Sequence, residues 1–293
     1  MLDQRAALPV PGAANALTAR IVEDMGFDAV YVSGAAIANS FLGVPDIGLT
    51  SLSEVAAHVA AIREAVELPL IVDADTGFGG IANTWRTVRQ LERSGADAIQ
   101  LEDQTFPKRC GHFEGKGTVS ADEMVDKIAA ACSAREDTGL VIIARTDARA
   151  EYGLVEACRR ANAYREAGAD VLFVEAPESE AEIAEIATTV EGPLILNVVE
   201  GGVTPALPAS RLRELGFSAV LFANHSLLAT IGAVRRSLEA LRADVPGTAP
   251  GSASWPERQA LVRREWFADF ETRHTDIGDK RVGVREPVGP RGR

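Results

Sequence analysis

The chain has 293 residues, of which 46% are hydrophobic and 25% charged, enough apolar material for one large α/β domain or two small ones. A formal charge of −12 argues against a nucleic-acid or anionic-membrane partner, which would need a basic face, and no apolar run approaches the ~18 residues of a membrane span. The opening MLDQRAALPVPG lacks the basic region and apolar stretch of a secretion signal, and three cysteines without paired spacing fit a reducing cytoplasm.

In chain order, a short apolar run, ALPVPGA (7–13), precedes a helical pattern over Asn15–Met25. MGFDAVYVSG (25–34) then shows a phrase that recurs as SGADAIQLED (94–103), AGADVLFVEA (167–176) and LGFSAVLFAN (215–224). Each joins a helix end, a capping glycine and a β-branched or apolar run that finishes in polar residues. LPLIVDADTG (68–77), LVIIARTDA (140–148) and GPLILNVVEGG (192–202) read as further buried strands. Helical patterns lie between them at Ser53–Glu67, Thr84–Ser94, Ala121–Arg135, Leu154–Ala167, Glu180–Thr189 and Ala209–Leu215, with Thr50 or Ser51 and Ser120 as N-caps. Strands alternating with helices predict βαβ units, and continuous apolar strands predict burial on both faces. Eight such units close into a (β/α)8 barrel, an α/β fold of ~250 residues. A doubly wound sheet would call for a Gly-rich phosphate turn after an early strand, and no GxGxxG occurs. The barrel is assigned to residues 1–241. Residues 242–293 read as a Pro/Gly/Ser-rich linker (242–256), an amphipathic helix over Ala260–His274 and a charged tail from Gly278.

A barrel demands chemistry at the C-terminal ends of its strands. The polar residues fall there: Tyr31 and Ser33, Asp73 and Asp75, Glu102, Arg145 and Asp147, Glu175, Asn197, and Asn224 with His225. Period-2 alternation puts Tyr31 with Ser33, and Asp73 with Asp75, on shared strand faces. Carboxylates of Asp73, Asp75 and Glu102 in one mouth would repel unless a cation or a proton relieves them. Oxygen ligands suit Mg²⁺, with Mn²⁺ as a substitute; a general acid/base pair is the competing reading, and Asp46 in GVPDIG adds a fourth carboxylate on the side of a metal. Arg145 is suited to bidentate recognition of a substrate carboxylate or to a salt bridge with Glu175 or Glu102. Asp147 and Asp103 read as loop caps or salt-bridge partners. In QLEDQTFPKRCGHFEGKG (100–117), Cys110 lies among Lys108, Arg109 and His112, a setting that favours a thiolate and proton transfer; the alternative is a buried structural thiol. The glycines at 111, 115 and 117 give this segment the character of a lid.

YVSG (31–34), GVPDIGLTS (43–51), DADTGFG (73–79), LEDQ (101–104), PKRCGH (107–112), ARTDA (144–148), FVEAP (173–177) and EGGVTP (200–205), in this order and spacing, resemble the isocitrate lyase / phosphoenolpyruvate mutase superfamily from Leu8 to about Leu241. The resemblance implies a (β/α)8 barrel, Mg²⁺, an enolate-type intermediate, and dimers or tetramers that exchange the last barrel helix. It implies Asp75 as direct metal ligand, with Asp73, Glu102 and Asp46 acting through water. It implies Ser33, Gly34, Ala35 and Gly111 as contacts to substrate carboxylate or carbonyl groups, with Arg145, Glu175, Asn197 and Asn224 lining the pocket. PKRCGH is similar to the lyase branch that includes 2-methylisocitrate lyase and dimethylmalate lyase; there Tyr31 would be the base and Cys110, with His112 beside it, the proton donor. Asn224–His225 and TFPK (105–108) are more like phosphonopyruvate-processing members, and carboxyphosphonoenolpyruvate mutase has a similar Cys-Gly-His loop. The expected activity is a carbon–carbon lyase acting on a 2-hydroxy di- or tricarboxylate. Phosphonate chemistry, oxaloacetate hydrolysis and a non-catalytic metabolite-binding barrel are the rivals.

Overall fold

In the computed structural model, residues 4–109, 117–243 and 251–282 are described, with side chains as far as Thr275. Eight parallel strands close into a barrel in sequence order: β1 (Leu8–Ala13), β2 (Val30–Val32), β3 (Leu70–Asp73), β4 (Ala98–Glu102), β5 (Val141–Thr146), β6 (Val171–Val174), β7 (Leu194–Asn197) and β8 (Ala219–Phe222). β8 returns to β1, with Leu8 opposite Ala219 and Val10 opposite Leu221. Seven helices cross from one strand to the next: α1 (Ala16–Asp24), α3 (Leu52–Ala65), α4 (Ile81–Arg93), α5 (Ala121–Ala134), α7 (Leu154–Glu166), α8 (Glu180–Thr189) and α9 (Ala209–Glu214). Two short helices also sit among the strand-end loops, α2 (Gly34–Ile37), continued by a π-helical turn over Ala38–Leu42, and α6 (Arg149–Tyr152).

Local signals explain most of these boundaries. Ser51 caps α3 in a box with Glu54, and Ser120 caps α5 by accepting from Glu123 N at 3.1 Å. The glycine of each recurring phrase follows a helix with positive φ: Gly26 (77°), Gly95 (97°), Gly168 (110°) and Gly216 (87°). A side chain is disfavoured in that conformation, so the repeat is a repeated helix stop that turns the chain into the next strand.

The strands separate two apolar layers. Val10, Ile71, Ile143, Phe173, Ile195 and Leu221 fill the barrel interior, while Val30, Val72, Ile99, Leu101, Leu172 and Leu196 pack outward against the helices. Burial on both faces is why the strands read as continuous apolar runs.

The chain divides into two compact units, Met1–Arg236 and Ser237–Arg293. α10 (His225–Arg242) runs across that division, and α11 (Trp255–Leu261) and α12 (Arg264–Val282) follow. The single helix expected over Ala260–His274 is two helices, because Ser254 caps one as early as Trp255 and Arg263 breaks the path at φ 54°. The linker expected as far as residue 256 therefore ends by Ser254, and the segment from Gly278 to Val282, expected as tail, is helical.

Candidate active site

The C-terminal ends of the strands converge on a pocket lined by Tyr31, Ser33, Ala35, Asp46, Asp73, Glu102, Lys108, Arg109, Arg145, Glu175, Asn197, Val199, Ala223 and Asn224. Tyr31 and Ser33 share it, as alternation along β2 requires. Asp73 and Asp75 meet for a different reason. β3 ends at Asp73, and Asp75 turns with φ 47°, a conformation that aspartate tolerates better than most residues. Asp75 N donates to Asp73 Oδ1 at 3.3 Å. The turn is held from outside the barrel by Thr87, whose hydroxyl donates to Gly77 O at 3.0 Å, and by Lys127, whose Nζ donates to Thr76 O at 3.2 Å.

Asp73 also accepts from Gly34 N at 3.2 Å. A Cβ at Gly34 would lie 3.1 Å from Asp73 Oδ2 and 3.4 Å from Asp75 Oδ1, so the bare backbone is what lets the start of α2 approach the acids. Ser33 serves as N-cap of α2, accepting from Ala36 N at 3.2 Å.

Lys108 stands at the centre of the acid cluster, 2.5 Å from Asp46 Oδ1 and 2.8 Å from Asp75 Oδ1. Burial works against its charge, but Asp75, Glu102, Asp73 and Asp46 overcome this and hold its pKa well above the usual lysine value. The same burial lifts Asp75 to about 6 despite Lys108, with Asp73 and Asp46 adding to the rise. Glu102 is also raised, by burial first, with Arg145 opposing. Burial and the neighbouring Asp73 push the Tyr31 phenol well above its ordinary 10.

Arg145 pairs with both expected carboxylates and with a third that is nearer. Its fork grips Asp147, with Nε to Oδ2 at 2.8 Å and Nη2 to Oδ1 at 3.0 Å. Glu102 and Glu175 lie farther off, at 3.5 and 3.9 Å. Asp147 is thus the salt-bridge partner its position suggested, and Nη1 is the atom turned toward Glu175. Asn197 Nδ2 donates to Glu175 Oε1 at 3.4 Å. Asn224 Oδ1 is buried with no donor among the described residues. The neighbouring His225 is 65% exposed and pairs with Glu200. Asp103 is a structural hub, fully buried and bonded by Thr146, the Asp147 backbone, Arg160 and Tyr164. Cys110, Gly111 and His112 lie outside the described residues.

The free space in this pocket is about 30 Å³, room for about one water. A larger cavity, about 480 Å³, opens at the start of the strands among Pro69, Ile71, Leu140, Val171 and Pro193. Its charged rim is committed to structure: Asp97 to Arg63 and Leu70 N, Asp170 to Arg135 and Ile142 N. The concentrated carboxylate chemistry is in the smaller pocket.

The phosphoenolpyruvate phosphomutase family model matches residues 1–242. The chain belongs to the phosphoenolpyruvate mutase/isocitrate lyase superfamily. Among curated relatives of this superfamily member, 2,3-dimethylmalate lyase of Eubacterium barkeri is 44% identical over 83% of this chain and 84% of its own length. The 2-methylisocitrate lyase of Aeropyrum pernix is 49% identical over 76% and 71%. Both are named as lyases. Among solved structures, oxaloacetate acetylhydrolase with 3,3-difluorooxalacetate superposes with TM-score 0.87 at 33% identity, covering 92% of this chain and 93% of that one. Phosphonopyruvate hydrolase with oxalate and Mg²⁺ superposes with TM-score 0.84 at 34% identity, covering 94% and 96%.

The acid cluster of this superfamily member fits a hard divalent cation. Among the described residues Glu102 Oε1 is buried without a donor, and Asp75 Oδ1 is faced by the Lys108 ammonium. Among the described residues no group of three Asp, Glu, His or Cys side chains is placed to hold one ion, and carboxylate oxygens suit a hard cation that keeps several waters. Two residues bonded to the pocket acids escaped sequence reasoning: Gln100, whose Nε2 donates to Asp73 Oδ1 at 3.3 Å, and Lys108. Gln100 was detectable, because alternation from Glu102 puts it on the inward face of β4. The burial of Lys108 was not, because its partner Asp46 lies 62 residues away.

Proposed function

We propose that this protein is a Mg²⁺-dependent carbon–carbon lyase that cleaves a 2-hydroxy di- or tricarboxylate of the 2-methylisocitrate kind into a 2-oxoacid, pyruvate for that substrate, and a second carboxylate. The observation that carries this reading is the buried, donor-poor carboxylate cluster at a barrel mouth, with Arg145 beyond it, in a chain whose relatives over most of its length are such lyases. Asp75 is the proposed direct ligand, with Asp73, Glu102 and Asp46 acting through water; Mn²⁺ is chemically equivalent for this donor set. Bound there, the cation would supply a Lewis acid for the oxygens of the 2-hydroxy acid and positive charge to its surroundings.

The chain's own residues do the rest. The amide of Gly34, the hydroxyl of Ser33, the backbone of Ala35 and Gly111, and the side chains of Asn197 and Asn224 orient the carboxylates. Arg145, held rigid by Asp147, presents Nη1 to developing negative charge. The substrate hydroxyl gives up its proton to Tyr31 in its phenolate form, which burial and Asp73 oppose and Arg145 favours, and its C–O bond becomes a carbonyl as the adjacent C–C bond breaks. The electrons of that bond move onto the α-carbon of the departing carboxylate, forming its enolate. We assign the protonation of that carbon to Cys110, with a supporting role for His112. The free space of about 30 Å³ is far smaller than a tricarboxylate, so Lys108 and its neighbours must shift for substrate to enter.

Pyruvate release from 2-methylisocitrate, with Mg²⁺ and with chelator, tests this reading in wild type and Cys110→Ser. The expected result is Mg²⁺-dependent release, lowered about 10²–10⁴-fold in the mutant, the usual contribution of a positioned acid. No release from the wild type sinks methylisocitrate as substrate. The orphaned Asn224 Oδ1 beside the Glu200–His225 pair favours a second reading, phosphonopyruvate or oxaloacetate chemistry, and these with dimethylmalate are the next substrates to assay. We assign the protein to the cytoplasm as a homodimer or homotetramer with exchanged helices. No described helix is long and apolar enough to cross a membrane.

A further inference from the structure

The turn that follows β3 carries Asp75 on a strained backbone. Asp75, Gly77, Phe78 and Gly79 all have positive φ, at 47°, 83°, 55° and 143°. Two of these four are not glycine, so the path is costly and persists only where its surroundings fix it. Three successive carbonyl oxygens of the turn are each taken by a different element. Asp75 O accepts from Glu102 N of β4 at 2.9 Å, Thr76 O from Lys127 Nζ of α5 at 3.2 Å, and Gly77 O from the Thr87 hydroxyl of α4 at 3.0 Å. The first is a backbone bond and the third comes from a short neutral side chain. Lys127 is the costly member. It is 5% exposed, and a buried ammonium is expensive unless it is well paired. Its carboxylate partner is a loose one, the half-exposed Glu123 at 3.8 Å. An ion pair therefore does not account for a lysine at this place, whereas the bond to the Thr76 carbonyl does.

We propose that Lys127 is a positioning residue for Asp75: its ammonium pins the Thr76 carbonyl, keeps the turn in its left-handed path and so holds the Asp75 carboxylate ready for a divalent cation. It does this from the helical layer, without touching the cation or the substrate. Without the ammonium, the peptide between Thr76 and Gly77 is free to swing, Asp75 relaxes toward an ordinary φ, and its carboxylate leaves the acid cluster. The role rests on the reading of Asp75 as a metal ligand.

Mn²⁺ titrated into the full chain, with the free ion followed by its EPR signal, measures this without turnover. Lys127→Met removes the ammonium and keeps an apolar stem. It should weaken Mn²⁺ binding about 10–100-fold, the usual effect of losing a group that orients a metal ligand. In EDTA, amide hydrogen exchange over residues 74–80 should quicken in the same variant, because the turn opens locally while the rest of the barrel holds. Ile128→Ala hollows the core beside the same helix and removes no bond to the turn. It should lower the melting temperature and leave Mn²⁺ binding in place. Lys127→Leu replaces the methionine variant if that one does not fold. A wild type that binds Mn²⁺ and a methionine variant that binds it equally well overturn the proposal. Equal weakening by Ile128→Ala overturns it too, since the effect would then be one of general stability, as does exchange over 74–80 unmoved by loss of the ammonium. A wild type that binds neither Mn²⁺ nor Mg²⁺ removes the metal reading, and this role of Lys127 with it.

Discussion

Asp75 concentrates the cost of this site in one side chain. Its backbone takes a positive φ, and burial lifts its carboxyl to about 6, against the pull of Lys108. A raised carboxyl pKa means that the folded protein holds a proton the unfolded chain has released between about pH 4 and pH 6. The stabilisation linked to that proton is complete below about pH 4 and is lost as pH rises to about 6. Two pH units correspond to about 3 kcal/mol, taken as an upper bound. Asp75→Asn should therefore melt at a higher temperature than wild type in EDTA at pH 8, with the gap narrowing at pH 5. Added Mg²⁺ at pH 8 should raise the melting temperature of the wild type and leave the Asn variant unchanged. Identical melting of the two proteins in EDTA at both pH values would contradict the assignment.

At the scale of elements, the neighbouring ends of β4 and β5 are bound together through Asp103. Thr146 Oγ1 donates to it at 2.7 Å, Asp147 N at 2.8 Å, Arg160 Nη1 at 3.1 Å and Tyr164 OH at 2.8 Å. The same contact positions Asp147 for its grip on Arg145. α7, which carries Arg160 and Tyr164, is thereby fastened to the strand ends that hold Glu102 and Arg145. Asp103→Asn removes a charge that buried Arg160 faces and places an NH₂ among donors. It should cost about 3 kcal/mol in urea unfolding, the low end for breaking a buried pair, because Glu156 still holds Arg160. Tyr164→Phe should cost about 1 kcal/mol. A cost below about 1 kcal/mol for Asp103→Asn would reduce the hub to four dispensable contacts.

For the whole molecule, the telling feature is α10. Leu228, Ile231, Val234, Leu238 and Leu241 recur at helical spacing and are between 41% and 73% exposed. We read apolar residues at this spacing as an interaction face, and a second copy of the chain is the partner that fits the proposed helix exchange. Light scattering should give a mass two or four times the 31.1 kDa of one chain. Ile231→Asp combined with Leu238→Asp should shift the population toward monomer. A wild type that is monomeric at micromolar concentration would refute the oligomer.

The sequence by itself determined the features that depend on near neighbours. Eight apolar runs and four capping glycines are local signals, read by periodicity and by the φ that only glycine takes easily, and together they specify a barrel. The barrel's direction then places polar strand ends at one mouth, which is why most of the pocket lining was legible. Tertiary structure alone decided which of those groups meet. Barrel register sets Gln100 opposite Asp73, a pairing that no local pattern along β4 contains. Lys108 finds Asp46 and Asp75 only once two loops have been carried to the same rim. Arg145 holds Asp147 more closely than Glu102 or Glu175 because distance and the anchoring of Asp147 on Asp103, not residue type, rank three available carboxylates. Charge pairing in a buried site falls off steeply over a few ångströms, so its outcome belongs to the folded geometry and not to the order of residues along the chain.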